Sequence, residues 1–253
     1  PKLNGFDWVL QLLMADIPVV KEELAEMGAG GLLMEIASRP LPRTLAKSVN
    51  KREKKIMGVI LAAGNSRRMG KDNKLLKNID GAPLIRNIAL EITKSDLDSC
   101  SIVLGYQSDK VADVIKDLNI SLILNPLWTE GQASSLKAAL NSLTSSYSDL
   151  LIMLGDLPGI KSDHINRIIE EHISSENRRS KITIPSFKGE KGNPVIWGRS
   201  FFHDLSNLEG DVGGRVLFSQ HPAAINLIEM DDPSVVTDTD TPEDFKKFLS
   251  NGA

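Results

Sequence analysis

The chain has 253 residues, 41% hydrophobic and 25% charged, with a formal net charge of −3. That is enough apolar material for a full core, and a balance that argues against a general nucleic-acid binder, which would carry a basic face. A single cysteine, Cys100, excludes an intrachain disulfide and a cysteine-cluster metal site and favours a cytoplasmic location.

Residues 1–37 carry helical signals, with apolar Phe6, Val9, Leu10, Leu13 and Met14 and a second short candidate from Val20 to Met27. Residues 39–55 hold two prolines and seven basic side chains and read as an exposed linker, or as a basic arm. The expected organisation is therefore an N-terminal segment and linker over 1–55, the tail of a preceding domain, and one domain over 56–253. The opening Pro1 suggests a fragment or a processed product. No apolar run of about 18 residues and no basic-then-apolar leader is visible, so neither a membrane span nor a signal peptide is expected.

From residue 56 strands and helices alternate, the pattern of a parallel α/β sheet. Predicted strands are 56–63, 101–105, 121–124, 150–154, 182–185, 194–197 and 224–229. Predicted helices are 83–94, 108–118, 132–143, 162–174, 199–205, 212–220 and 242–249, with Pro83 and Pro242 at first-turn positions that tolerate proline. In open α/β sheets ligands bind beyond the carboxyl ends of strands, where the polar motifs fall.

The first motif is Ile56 to Leu76, an apolar β-branched run that breaks at Gly64 into a loop carrying Arg67, Arg68, Lys71, Lys74 and Lys77, with Ser66 and Gly70 between them. Backbone N–H groups and cations so arranged suit a polyphosphate; the alternative is a solvated basic loop. It is not a P-loop, because five residues separate Gly64 from Gly70 and Asp72 follows Lys71. It is not a dinucleotide fingerprint either, since no glycine stands two residues after Gly64. The second motif, LLIMLGDLP over 150–158, ends a strand in Asp156, which either holds a hard cation such as Mg²⁺ or caps a turn. The third, VTDTDTPED over 236–244, sets Asp238 and Asp240 two residues apart, where a cation would relieve their repulsion. The same stretch also reads as a helix start, with Thr241 as cap and Asp244 reaching back.

Two weaker loops follow. NPLWTEGQASSL over 125–136 places Gly131, Ser134 and Ser135 at a strand-to-helix passage, suited to reading a base or pyrophosphate, or simply to capping. GEKGNPV over 189–195 reads equally as a substrate loop or a hairpin turn. The four histidines show no metal or catalytic spacing, and no G-x-S-x-G elbow is present.

LAAGNSRRMG followed by KLL resembles the signature of the nucleotidyltransferases that make molybdenum cofactor dinucleotides, within the sugar-phosphate nucleotidyltransferase superfamily. GDLP, N-x-x-W-x-x-G-x-x-S-S-L, G-x-x-G-x-P-V and D-x-D-T-P-E-D resemble further family motifs in order, so the likeness spans residues 57–249. It implies a Rossmann-like three-layer α/β/α fold of the nucleotide-diphospho-sugar transferase type with a mostly parallel sheet. The resemblance makes Arg68, Lys74 and Asp156 catalytic. Nucleotide contacts would come from Leu61, Ala62, Ala63, Gly64, Ser66, Arg68, Gly70, Lys74, Gly131, Ser134, Ser135 and Asp156. Acceptor contacts would come from Gly192, Asn193, Pro194, Gly213 and Arg215, the last two within a GDVGGR stretch similar to a loop that approaches bound pterin. Asp156 with Asp240, or Asp238, would hold Mg²⁺.

Family members with LAAG use cytidine and those with LAGG guanosine. Ala63 therefore implies transfer of CMP from CTP to a molybdopterin phosphate, with a molybdoenzyme or chaperone as an onward partner and no DNA or membrane partner. The alternatives are GTP, another acceptor such as a sugar phosphate or methylerythritol phosphate, and a non-catalytic nucleotide-binding regulatory or chaperone module. The segment GGLLMEIASRPLPR resembles the tail of a molybdopterin-binding domain fused ahead of such a transferase.

Overall fold

The computed structural model describes residues 55–65, 73–239, 241, 243–245 and 248. The expected N-terminal segment and all of the linker but Lys55 lie outside these, as do Ser66, Arg68, Gly70 and Asp240.

Among the described residues the strands are β1 Ile56–Ala62, β2 Asn78–Ile79, β3 Ala82–Pro83, β4 Ser99–Leu104, β5 Ser121–Leu124, β6 Asp149–Leu154, β7 Ile182–Phe187, β8 Glu190–Lys191, β9 Val195–Gly198 and β10 Ile225–Glu229. The α-helices are α1 Leu84–Lys94, α2 Ser108–Asp113, α3 Gln132–Asn141, α4 Ser162–Ser174 and α5 Phe202–Ser206. The main sheet runs β10-β7-β9-β6-β1-β4-β5. β1 pairs parallel with β4 and β6, β4 with β5, and β7 with β10, while β9 lies antiparallel between β6 and β7. The sheet is thus mixed and mostly parallel.

β1 is buried throughout, as its apolar composition requires of a central strand. Its period-2 alternation feeds two cores. Ile56, Ile60 and Ala62 pack with Ile85, Ile88 and Ile92 of α1 and Ile165 and Ile168 of α4, whereas Met57, Val59, Leu61 and Ala63 pack with Leu136 and Ala139 of α3, Trp197 and Leu205. Helices therefore cover both faces, giving the expected three layers. The chain moves outward from β1 to β4 and β5 and then returns to β6 on the other side of β1. That reversal opens a crevice at the carboxyl end of β1.

Three expected helices differ. α2 stops at Asp113 rather than Leu118, because the Arg86 guanidinium donates to Val114 O at 2.7 Å and the chain tightens, Ile115 N donating to Ala112 O and Leu118 N to Ile115 O. The 212–220 segment is a 3₁₀ helix over Gly214–Phe218, with Gly213 and Gly214 at its start. The 199–205 segment begins as a 3₁₀ turn before α5. Pro83 sits at the N-cap of α1 rather than within its first turn. At the last helix Thr241 and Asp244 form the expected capping box: Thr241 N donates to Asp244 Oδ2 at 3.0 Å and Asp244 N to Thr241 Oγ1 at 3.1 Å.

Candidate nucleotide site

A cavity of about 570 Å³ opens at the carboxyl ends of β1 and β6 and at the loop after β5. Its floor is the end of β1, Leu61 to Asn65, buried through Ala63. The β1 end is stitched to its neighbours by Gly155 N to Leu61 O (3.1 Å) and Tyr106 N to Ala63 O (3.0 Å). Gly105 is needed beside it, since a Cβ there would lie 2.5 Å from Trp128 Cβ and 2.7 Å from Ala63 O.

On the β6 side, Lys74 and Asp156 meet although 82 residues apart. Lys74 Nζ donates to Asp156 Oδ2 at 2.7 Å, with side chains only 10% and 17% exposed. Asn73 holds the turn that delivers Lys74, its carboxamide oxygen accepting from Leu75 N at 3.1 Å. Thr239 donates through both its N–H (3.1 Å) and its hydroxyl (3.2 Å) to Asp156 O, which brings Asp238 onto the cavity wall. Asp156 Oδ1 is buried and has no hydrogen-bond partner among the described residues. A buried acceptor left so costs about 1–3 kcal/mol, which a bound cation would offset.

The described residues contain no group of three or more His, Cys, Asp or Glu side chains arranged around a metal position. Two carboxylates completed by substrate oxygens suit Mg²⁺, which takes one or two protein carboxylates together with phosphates. The residues present therefore fit a divalent ion that arrives with a polyphosphate.

On the β5 side, buried Asn125 donates to Ser134 Oγ at 2.9 Å and Ser135 Oγ at 3.1 Å, fixing the start of α3. Gly131 adopts φ +103°, and a Cβ there would sit 2.5 Å from Asp211 N, so the position needs glycine both for its conformation and for the approach of the 210–213 loop. That loop docks by Ala133 N to Gly210 O (3.2 Å) and Gln132 N to Asp211 Oδ1 (3.2 Å). Asp211 thereby caps α3 from 79 residues away and lines the cavity.

Of the expected site residues, Leu61, Ala62, Ala63, Gly64, Lys74, Gly131, Ser135, Asp156 and Asp238 line the cavity. Ser134 does not; its hydroxyl donates to Gly131 O at 2.8 Å and it lines a separate cavity on the outer side of α3. Gly192, Asn193, Pro194, Gly213 and Arg215 also lie off the wall. Asn193 N donates to Val235 O at 2.8 Å and Arg215 to Lys191 O at 2.9 Å, so the two loops expected to serve the acceptor meet one another. Within the first of these, residues 187–190 turn as a β7–β8 hairpin. Sequence reasoning missed Trp128 as a wall and Glu130, Gln132 and Asp211 altogether. Trp128, Glu130 and Gln132 stand within the NPLWTEGQASSL motif and Asp211 within GDVGGR, but the motif reading gave none of them a contact.

The histidines take no part: none lines the cavity, and His172 is wholly buried against Thr183 Oγ1 at 2.8 Å. Cys100 packs against α1, its thiol pushed up to about 11 by burial. No described helix is long and apolar enough to cross a membrane.

Residues 58–225 match the MobA-like NTP transferase domain family. Nicotine blue oxidoreductase of Paenarthrobacter nicotinovorans is 26% identical over 202 residues, 77% of this chain and 96% of that protein. Purine catabolism protein PucB of Bacillus subtilis is 27% identical over 200 residues, 75% and 94% of the two. Among solved structures, the Mycobacterium sp. strain JC1 homologue of Mycobacterium tuberculosis Rv0371c superposes with a TM-score of 0.68 at 27% identity, covering 79% of this chain and 97% of that one. Rv0371c itself, solved in complex with manganese, gives 0.62 at 22% identity over 78% and 98%.

Proposed function

The chain belongs to the MobA-like NTP transferase domain family, and from that premise we propose that it is a cytidylyltransferase. It moves CMP from CTP onto the phosphate of molybdopterin and releases pyrophosphate, with residues 56–253 as the transferase domain. The observation that carries this reading is the Lys74–Asp156 pair, held at 2.7 Å on the wall of a cavity, with one Asp156 oxygen lacking a hydrogen-bond partner among the described residues.

In this reading an oxygen of the acceptor phosphate bonds to the α-phosphorus of CTP as the bond to the departing pyrophosphate breaks. The acceptor is already a phosphate, so no general base is required, in keeping with histidines that stand elsewhere. Lys74 and Arg68 offset charge that grows on the α-phosphate and leaving group. Asp156, with Asp240 or Asp238, holds Mg²⁺, which when bound stabilises charge on the phosphate oxygens as a Lewis acid. The backbone of Leu61 to Gly64 seats the nucleotide, with Ala63 favouring the smaller pyrimidine. The acceptor enters from the side where Arg215 meets the 189–195 loop at Lys191 O.

Pyrophosphate release measured with CTP, GTP, UTP and ATP against molybdopterin, a sugar phosphate and methylerythritol phosphate tests each part. CTP with molybdopterin is expected to be the fastest pair. Turnover with a sugar phosphate alone would move the acceptor, and faster turnover with GTP would move the base. A fold can host unrelated chemistries, and one relative is named an oxidoreductase. Nucleotide binding without pyrophosphate release in any combination would favour such a departure, or a regulatory module, over transfer.

A further inference from the structure

We infer that Asp211 is a specificity-determining residue of the nucleotide site, one that selects nucleobases carrying an exocyclic amino group. The inference rests on the nucleotidyltransferase reading and adds what the β5 side of the cavity recognises.

A helix N-terminus ordinarily presents free N–H groups and attracts phosphate. Here the first three of those donors are spent. Gln132 N donates to Asp211 Oδ1, Ala133 N to Gly210 O, and Ser134 donates through both its N–H and its hydroxyl to Gly131 O. The preceding turn is closed in the same way, Glu130 N donating to Leu127 O and Gly131 N to Trp128 O. On this part of the wall stand two carboxylates, Asp211 and Glu130, and no cationic side chain among the described residues. A triphosphate would be repelled there. The cation, Lys74, lies across the end of β1 with Asp156, so the substrate lies along the sheet edge, phosphates beside β6 and base beside β5.

Asp211 divides its labour between two oxygens. Oδ1 accepts from Gln132 N at 3.2 Å, which fixes the side chain against α3. Oδ2 is the acceptor that a base amine can use. Cytosine presents such a donor at C4; uracil presents a carbonyl at the same place, setting oxygen against oxygen. A hydrogen bond to a charged group is roughly twice as strong as a neutral one, and an unpaired partner loses its solvation outright. Because Asp211 stays solvent-exposed, wild-type protein should bind CTP more tightly than UTP by a few-fold, up to about 10-fold. Ala63 then acts on size among the amino-bearing bases, a separate choice.

Asparagine separates the two tasks of Asp211, since its carboxamide oxygen can still cap Gln132 N while an NH₂ replaces Oδ2. Isothermal titration of the whole chain with CTP and with UTP, both with Mg²⁺ and without acceptor, makes the measurement. Asp211→Asn should keep the wild-type melting temperature and bring the CTP-to-UTP affinity ratio toward unity. Asp211→Ala should lower both the ratio and the melting temperature. A CTP analogue lacking the 4-amino group reads the same contact on unaltered protein and should bind about as weakly as UTP. Equal binding of CTP and UTP by wild type, or a ratio unmoved in Asp211→Asn, overturns the inference and leaves the nucleotide reading standing. If none of CTP, UTP, ATP and GTP binds, the nucleotide reading itself falls.

Discussion

Strand β6 carries a carboxylate near each end, and the two have opposite fates. At its start, Asp149 is fully buried, with Oδ2 at 3.1 Å from Arg178 Nη1 and 2.8 Å from Ser148 Oγ, and Oδ1 at 3.3 Å from His172 Nε2. Just beyond its end, Asp156 has one oxygen on Lys74 and the other buried without a partner among the described residues, beside an open cavity. The first cluster is enclosed by protein groups, although Asp149 Oδ1 makes no hydrogen bond among the described residues, and ties the Ser148 corner to α4 through His172 and to the turn at Arg178. The second is left incomplete toward the cavity. A buried ion pair is weak evidence of stabilisation in itself, because desolvation offsets much of the attraction. What separates the two ends is what the unbonded oxygen faces: Asp149 Oδ1 has the His172 ring at 3.3 Å in a wholly buried corner, whereas Asp156 stands on the wall of a cavity, where a ligand can finish the coordination.

The largest effect is expected at the closed end. Asp149→Ala removes the wholly buried carboxylate that Arg178 Nη1 and Ser148 Oγ hold and should cost about 3–5 kcal/mol, the scale for breaking a buried pair. For a domain of this size that is roughly 6–20 °C in melting temperature. Calorimetry checks it, and a loss under about 1 kcal/mol would erase the contrast between the ends.

At the open end the same experiment should read the other way. Asp156→Asn keeps the fold, with little change in melting temperature, and lowers Mg²⁺-dependent turnover by about 10²- to 10³-fold. Full metal-dependent activity in that variant would remove Asp156 from the chemistry. Lys74→Ala should fall next, lowering kcat by about 10²-fold while weakening CTP binding less, because its charge is needed most as pyrophosphate departs. Collapse of binding with normal saturated turnover would make Lys74 a ground-state clamp instead.

Ala63→Gly probes the cavity floor more gently. Removing one methyl should raise the GTP-to-CTP activity ratio by a modest factor, such changes being worth about 1–3 kcal/mol, as read by competition with both nucleotides present. The smallest effect belongs to an exposed pair far from both ends, Arg86 with Asp117 at 2.6 and 2.7 Å. The Arg86 guanidinium holds the Asp117 carboxyl at about 2, below its ordinary 3.8. The pair's contribution is therefore present above the unfolded value of 3.8 and lost as pH falls through about 2. Urea midpoints of wild type and Asp117→Ala should differ slightly at pH 7 and converge below pH 2 and in high salt.

Much of the molecule was legible before its structure because the signals are local. An apolar run ending in Gly64 is a buried strand, Ser162–Ser174 has a helix's spacing of isoleucines, and Thr241 with Asp244 spells a cap three residues apart. The reach of α2 was misread because Val114 O is claimed by Arg86, 28 residues earlier, and no window around residue 114 contains that guanidinium.

What the sequence alone determined is the set of chemical types and their places on strand ends: a cationic loop after β1, a carboxylate after β6, glycine and serine after β5. These follow from periodicity, caps and turn residues within a few positions of one another. What only the tertiary structure decided is which of those groups meet. Lys74 reaches Asp156 because β1 and β6 are neighbours in the sheet. Gly131 admits Asp211 because the 210–213 loop folds back on α3, and Asp149 closes on Arg178 at the far end of the same strand. Side chains 30 to 80 residues apart are joined by the packing of the sheet and its helices, so the spacing between them along the chain carries no trace of the contact.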